Sequence, residues 1–480
     1  MSGTENIQIG LDKLNLLNPE QAWGYCILPK GLNNDVLELY ADESKAENGL
    51  KEELEIVLGR KVQLQSIPGK LIQKGLNQYY RKKHQHTGYT KSAELNASSP
   101  EGFLNKIIVE ARELGSSDIH FEVYEGSCRV RIRIDGQLVE KYKISKEDYE
   151  ILINKIKIES NLLIEQRRMP QDGKIQFHSG SYKFDIRVST IPIRNESEKA
   201  VLRILDSDAS HLSIEDLGFN EKDLENYIIG IKKTQGMVLI SGPTGSGKTT
   251  TLYSTLKVLN QTTRNILTIE DPIEYTLGGI NQVQLNENIG LNFTKVLKSF
   301  LRQDPDVIMV GEIRDRDTAE TAMRASLTGH LILSTIHTNS AWGIVSRLID
   351  MGIPAYQIAA TLNTAVAQRL VKCLCVECKK QQDFDPKNYP KGFEAPYAVS
   401  KQSIPGGCEY CFYTGYKGRK AIYEVIPVDA YLAAEIKNQN FSVDDYLKKL
   451  GVKTLKENAF ELFANGDTSI DEIYPVLLNN

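Results

Sequence analysis

No stretch of this chain approaches the roughly 20 consecutive apolar residues that a membrane-spanning helix needs. Its apolar runs, at 237–240 and 307–310, have the length of buried strands. Residues 1–17 carry acidic and polar side chains where a secretory leader would need a basic start and an apolar core. A cytoplasmic location is therefore expected, with any membrane contact made indirectly through partners. A strong charge excess is missing too. The net charge of −4 over 480 residues argues against a surface that grips nucleic acid or acidic lipid everywhere, and leaves room only for a local basic patch. No run of interleaved aromatic and basic residues suits a single strand, which speaks against a machine acting on DNA. Cysteine is scarce, and the seven present are not spread as a secreted disulfide framework would be. Five of them fall between Cys373 and Cys411, which leaves Cys26 and Cys128 as expected buried fillers.

What is present suits a soluble globular protein: 41% hydrophobic residues, enough for more than one core, and a length that suggests about three domains. Residues 1–80 read as a small α/β unit. Strands are predicted at 36–40 and 62–64, Leu50, Leu54, Val57 and Leu58 share a helical face, and Leu71, Ile72, Leu76 and Tyr79 mark another helix. Residues 81–99 are polar, lack any apolar period and read as a flexible linker. A second α/β domain is expected over 100–206, with helices at 103–114 and 149–162 and strands at 182–189 and 200–205. In it Val130, Ile132 and Ile134 alternate with Arg129, Arg131 and Arg133, and Asp135-Gly136 signals a hairpin whose return strand is 138–142. From 207 to 480 strands alternate with helices, the pattern of a parallel sheet with crossover helices. A cysteine module over 373–419 and helices over 427–480 fall within this stretch.

The strongest motif runs Gly242, Pro243, Thr244, Gly245, Ser246, Gly247, Lys248, Thr249, preceded by an apolar strand and followed by a helix over 249–259, with Thr250 in its first turn also a candidate ligand of the nucleotide. Glycines let such a loop curl so that main-chain N–H groups face phosphates, and the helix N-terminus adds its positive end. ATP is the expected ligand, with Lys248 on the β- and γ-phosphates and the Thr249 hydroxyl on Mg²⁺. A second apolar strand, 306–310, runs into Gly311 and Glu312, and a carboxylate there suits orienting the attacking water. A surface glutamate in a loop is the plainer reading. A third strand, 266–269, ends in Glu270, Asp271 and Glu274, whose mutual repulsion calls for a cation unless the loop is simply solvated. His330 and His337 bracket a fourth strand, and by themselves read as satisfied core histidines.

Phosphoryl transfer gains from a cation set on the developing charge. Arg187, Arg203, Arg302 and Arg314 are the candidates, whereas Arg129, Arg131 and Arg133 read as a solvated or acid-paired strand face. Cys375, Cys378, Cys408 and Cys411 form two C-x-x-C pairs separated by 29 residues, the spacing of a closed structural Zn²⁺ site. Free thiols or a redox pair are the alternatives, and Cys373 is not expected to be a ligand.

With these motifs in order, the chain resembles the type II secretion and type IV pilus assembly ATPases over nearly its whole length. The marks are 242–249, the acidic box 268–275, the segment 301–315 and the histidine box 328–338, with 117–120, 133–136 and 170–173 before them. The resemblance implies a homo-hexameric ring with ATP held between a C-terminal RecA-like domain and a preceding PAS-like domain. It makes Glu312 the catalytic glutamate, with Glu270 and Asp271 of the acidic box and His330 and His337 of the histidine box nearby. Arg187, Arg203, Arg302 and Arg314 match arginines that reach phosphate or bridge subunits. The cysteine module is similar to that of the secretion and pilus-extension branches, and 36–80 resembles a domain that docks on an inner-membrane platform protein. The expected function is a cytoplasmic motor that hydrolyses ATP to power pilus or pseudopilus assembly and type II-like secretion. A nucleotide-gated scaffold with little turnover and a RecA-like DNA-acting ATPase are the alternatives. Lys298 stands where arginine is frequent in the family and Ser197 where a turn glycine is common. Residues 1–30 lack the pattern of cyclic-di-GMP-binding relatives, so no such regulation is expected.

Overall fold

A computed structural model of the chain describes residues 13, 16–17, 19–33, 36–43, 50–69, 71–72, 76, 100–124, 127–180, 182–194, 197–205, 213–286 and 289–478. The expected linker at 81–99, the boundary at 206–207 and most of the helix predicted around 71–79 lie outside them. The chain divides into two compact units, Met1–Tyr89 and Thr90–Asn480.

The smaller unit contains α1 (Pro19–Tyr25), β1 (Ile27–Asn33), β2 (Val36–Asp42), α2 (Leu50–Leu58) and β3 (Lys61–Ile67). Its sheet runs β1-β2-β3, antiparallel then parallel. Leu37, Leu39 and Ala41 of β2 meet Ile27, Leu28, Leu54 and Val62 in one core. The strand β1 was not anticipated, because Pro29 and Gly31 weaken its pattern. They sit at a register shift on the sheet edge, where a missing N–H is tolerated.

The larger unit opens with α3 (Pro100–Glu113), β4 (Asp118–Tyr124), β5 (Ser127–Ile134), β6 (Gln137–Ile144), α4 (Lys146–Glu159), β7 (Gln171–Ser179), β8 (Tyr182–Pro192) and β9 (Glu198–Leu205). The six strands form an antiparallel sheet in the order β6-β5-β4-β9-β8-β7. One face packs Phe121, Val130, Ile132, Ile186 and Leu202 against Leu104, Ile108, Leu152 and Ile156 of the two helices. Ser145 caps α4, its side chain accepting from the Asp148 amide, and buried Tyr149 reaches the carbonyls of Phe121 and Glu198. The predicted hairpin is present, whereas β4 and β7 were not foreseen. Asp118 and Glu122 are buried polar residues that spoil the alternation of β4, and β7 is a polar edge strand containing Gly173.

Then follow α5 (Glu221–Ile231), β10 (Gly236–Ser241), α6 (Lys248–Leu259), β11 (Ile266–Glu270), β12 (Asn281–Gln284), α7 (Phe293–Phe300), β13 (Val307–Val310), α8 (Arg316–Leu327) and β14 (Leu331–Ile336). After α9 (Gly343–Asp350) and α10 (Ala355–Thr361), the long β15 (Leu362–Leu374) leads into a small ribbon of β16 (Lys380–Asp383) and β17 (Lys401–Ile404), and β18 (Tyr416–Pro427) returns. The sheet order is β12-β11-β13-β14-β10-β15-β18, parallel throughout except for β18. Every residue of β10, β11, β13 and β14 is buried, as expected of strands covered by helices on both faces. Such a sheet offers ligands only the carboxyl ends of its strands. The chain ends with α11 (Ala430–Lys437), α12 (Asp444–Lys449), α13 (Leu455–Ala464) and α14 (Ile470–Leu478). Phe460 and Phe463 of α13 pack with Phe384 and Tyr389 beside the β16-β17 ribbon. Among the described residues no helix is long and apolar enough to cross a membrane.

Candidate nucleotide site and cysteine cluster

At the carboxyl end of β10 the chain curls through Gly242, Gly245 and Gly247, all at positive φ, and enters α6 at Lys248. Gly242 has a second reason to be glycine: a Cβ there would sit 2.4 Å from the Gln368 carbonyl oxygen. The loop is pinned from β15. Buried Gln368 donates from Nε2 to the Ser246 carbonyl (2.9 Å) and accepts at Oε1 from the Thr251 hydroxyl (2.9 Å). Pro243, Thr244, Gly245 and Thr249 stay exposed, with Thr250 half-buried, so the loop's outer side is open to a ligand. The Lys248 ammonium donates to the carbonyls of Gly242 (2.8 Å) and Pro243 (3.0 Å). Burial pulls its pKa down, and the Glu312 carboxylate works in the opposite direction.

Glu312 follows β13 at the same edge of the sheet. Its backbone is held from both sides: the Gly311 amide donates to the Ile269 carbonyl (2.8 Å), the Ile313 amide to the Thr335 carbonyl (2.9 Å), and the Thr335 hydroxyl to the Gly311 carbonyl (2.9 Å). The mostly buried carboxylate pairs with Arg314 and lies 3.5 Å from His337 Nε2. Arg314 also reaches Asp271 at 4.0 Å. Lys248, Glu312, Arg314, Asp271 and His337 thus meet at one strand-end edge.

Glu270 is buried and fully engaged, accepting from Tyr253, Thr268 (2.6 Å) and the Gln282 amide (3.0 Å). In this arrangement it braces the strand ends. Burial raises the pKa of Glu274, with Arg187 and Arg203 opposing that rise. Those two arginines stand directly opposite each other on β8 and β9, a costly pairing of like charges that the acidic box relieves. Arg187 reaches the Ile273 carbonyl at 3.5 Å, and Arg203 donates to Asp118 at 2.9 Å. A groove of about 1020 Å³ runs there, lined by Asp172, Asp185, Arg187, Asp271, Glu274 and Tyr275 among others.

Two expected members do not join the cluster within this chain. His330 precedes β14, at the opposite edge of the sheet, where its Nδ1 lies 2.9 Å from the Ala325 carbonyl. The six residues of β14 put about 20 Å between it and His337. Arg302 lies just past the end of α7, before β13, and donates to the Lys298 carbonyl and the Ser299 hydroxyl. Arg129 and Arg131 bind Glu122 at 3.0 and 2.7 Å, and Lys199 joins them at 3.2 Å. Burial alone would raise the Glu122 pKa, but hydrogen bonds from Arg131, Lys199 and Arg129 hold it down at about 2. Sequence reasoning missed Gln368, which pins the loop, and Glu424 on β18, whose buried carboxylate accepts from the Ala341 and Leu455 amides. The available signal was a polar pair inside the apolar run of β15, and one acid inside that of β18.

At the far end of the β15–β18 pair the four cysteine sulfurs all lie within 4.8 Å of one another. The separations are 3.8 Å for Cys375–Cys408 and 3.7 Å for both Cys378–Cys411 and Cys408–Cys411. A tetrahedral Zn²⁺ with Zn–S near 2.3 Å requires sulfurs about 3.8 Å apart, so the donor set fits zinc. Main-chain amides of Gly407, Cys408 and Gly415 point at the sulfurs of Cys378 and Cys411. Cys373 is not part of the cluster.

Residues 94–475 match the family model described as "Type II/IV secretion system protein". The chain is 44% identical over 377 residues to the putative type II secretion system protein E of Escherichia coli (strain K12), covering 78% of this chain and 76% of that protein. It is 43% identical over 387 residues to the type IV pilus assembly ATPase PilB of Pseudomonas aeruginosa, covering 80% and 68%. Among solved structures it is similar to the pilus retraction motor PilT with bound ADP, at TM-score 0.56 and 26% identity over 78% of this chain and 97% of that one. The Legionella pneumophila ATPase DotB shares the fold at TM-score 0.62 and 21% identity, covering 81% and 98%.

Proposed function

Because this chain belongs to the type II/IV secretion system protein family and is an ATPase, we propose that it works as a cytoplasmic hexameric motor whose ATP hydrolysis powers pilus or pseudopilus assembly and type II-like secretion. The observation that carries the reading is the convergence of the phosphate loop, Glu312 and His337 at adjacent strand ends of one buried sheet. Loop amides of 242–247 and the first turn of α6 take the phosphates, with Lys248 turning from the Gly242 and Pro243 carbonyls onto them. Thr249 and Asp271 would hold Mg²⁺, which would neutralise charge on the phosphate oxygens when bound. Glu312 orients the attacking water, and His337 steadies its carboxylate. Arg187, Arg203 and Arg314 stabilise the developing charge from the sheet face and the loop after β13, while Glu270 holds the acidic box in place. His330 and Arg302, at the opposite sheet edge, serve only through a neighbouring subunit.

The four cysteines would hold a Zn²⁺ in a structural role, their four thiolates filling its coordination. Residues 1–80 form the docking domain for an inner-membrane platform protein, joined through 81–99 to the PAS-like domain at 100–206 and the RecA-like domain at 207–480. The arginines at 129, 131 and 133 are spent on Glu122 and Asp118, which supports a motor over a DNA-binding machine. Light scattering after gel filtration in Mg-ATP tests the ring: a six-chain mass accompanied by phosphate release supports it. A monomer hydrolysing at the same specific rate at every protein concentration would overturn it.

A further inference from the structure

We propose that Arg369, on β15, contacts the phosphate chain of the bound nucleotide, as a cation supplied by the same subunit from the strand that leads to the cysteine cluster. The inference rests on the nucleotide site described above and adds a residue to it. In the parallel pairing of β10 with β15, Ser241 lies opposite Ala367, so Gln368 flanks Gly242 and Arg369 comes next, beside the mouth of the phosphate loop. Gln368 is already committed to holding that loop through Ser246 and Thr251. Successive strand residues point to opposite sides, so Arg369 projects away from that contact. Its guanidinium donates to the Asn339 side chain at 3.2 Å, in the turn that follows His337. Arg369 therefore spans from β15 to the turn after β14, with the carboxyl end of β10 between them.

Its electrostatic setting points the same way. Arg369 is half-buried, and among the described residues no carboxylate pairs with it. Its two neighbours on the strand, Gln368 and Leu370, pack against Gly247, which places Arg369 beside the part of the loop that carries Lys248. The Glu312 carboxylate at this strand-end edge is already shared with Arg314 and His337. Two cations kept together with too little negative charge to balance them form a site for a polyanion. A planar guanidinium with several N–H donors suits phosphate oxygens, and it is less strongly hydrated than an ammonium, so partial burial costs it less. The ligand class is a nucleoside triphosphate or diphosphate, held by the same loop.

Titration of the purified full-length chain with a fluorescent ATP analogue and its ADP counterpart, both with Mg²⁺, tests the assignment. Arg369→Lys keeps the charge and should bind ATP within about threefold of wild type. Arg369→Gln keeps a donor for Asn339 but loses the charge, and should bind about tenfold or more weakly. A loss confined to ATP places the contact at the terminal phosphate, and an equal loss for ADP places it further in. Arg369→Gln binding within about twofold of wild type for both nucleotides, or equal losses for the Lys and Gln variants, would overturn the proposal. Lys248→Ala is the control in the same titration. If it too binds like wild type, the nucleotide site itself is misplaced.

Discussion

In the seven-stranded sheet, β10, β13 and β14 are buried along their whole length, and their polar chemistry begins where the strands stop, at Gly242, Glu312 and His337. In the six-stranded sheet the strands themselves carry it: β5 turns Val130 and Ile132 inward and Arg129, Arg131 and Arg133 outward. The difference follows from what covers each sheet. Helices on both faces leave a parallel sheet no free face, so a ligand can meet only the loops at its carboxyl edge. An antiparallel sheet with helices on one face has a whole second face for charge. There the cations are balanced in pairs and networks, with Glu122 taking Arg129, Arg131 and Lys199. Arg187 is different: it stands opposite Arg203, which is paired with Asp118, and itself reaches the Ile273 carbonyl in the acidic box.

The sharpest way to break this contrast is to remove the loop's cation. Lys248→Ala should lower phosphate release about a thousandfold, measured by a colorimetric phosphate assay. Arg187→Ala comes next. If that part of the six-stranded sheet serves the chemistry, kcat falls about a hundredfold. If the face is merely solvated, the rate stays at the wild-type level. The cysteine cluster is predicted to carry one zinc per chain by elemental analysis. Cys378→Ser should lose that metal and lower the melting temperature by about 5–10 °C. The smallest effect is expected on the acid-paired face. Glu122 has its folded pKa lowered from 4.5 to about 2, so its contribution is complete above pH 4.5 and is lost as pH falls toward 2. Glu122→Gln should cost about 2 kcal/mol at neutral pH. Urea midpoints of variant and wild type should converge as the pH approaches 2, and a constant gap would show that its charge is not the cause.

The same contrast decided what could be read from the residues alone. Fully buried parallel strands announce themselves as short apolar runs, and the polar residues just after them are the ones the fold brings together at one edge. The strand-end positions of the phosphate loop, Glu312 and Asp271 were legible for that reason, whereas His337 read as a core histidine until the family resemblance was added; the grouping of the four cysteines was legible from their spacing. The hairpin at Asp135-Gly136 was legible because one face is apolar and the other charged. β4 was not, since Asp118 and Glu122 are buried in ion pairs that break the alternation. The pairing of β15 with β18 was invisible because 375–415 separates the partners, and proximity across such a distance leaves no local mark. Gln368 and Arg369 were overlooked with it. Glu424 was as well, although its buried carboxylate accepts from the Ala341 and Leu455 amides and ties the turn after His337 to α13. His330 looked equivalent to His337 in the sequence. Only the direction of β14 shows that the two stand at opposite edges.

The most direct test measures ATP binding and phosphate release on the same preparations of wild type and Glu312→Gln. A carboxylate that aims water at a held triphosphate predicts unchanged ATP affinity with release slowed about a hundredfold or more. Release at the wild-type rate by Glu312→Gln would contradict it.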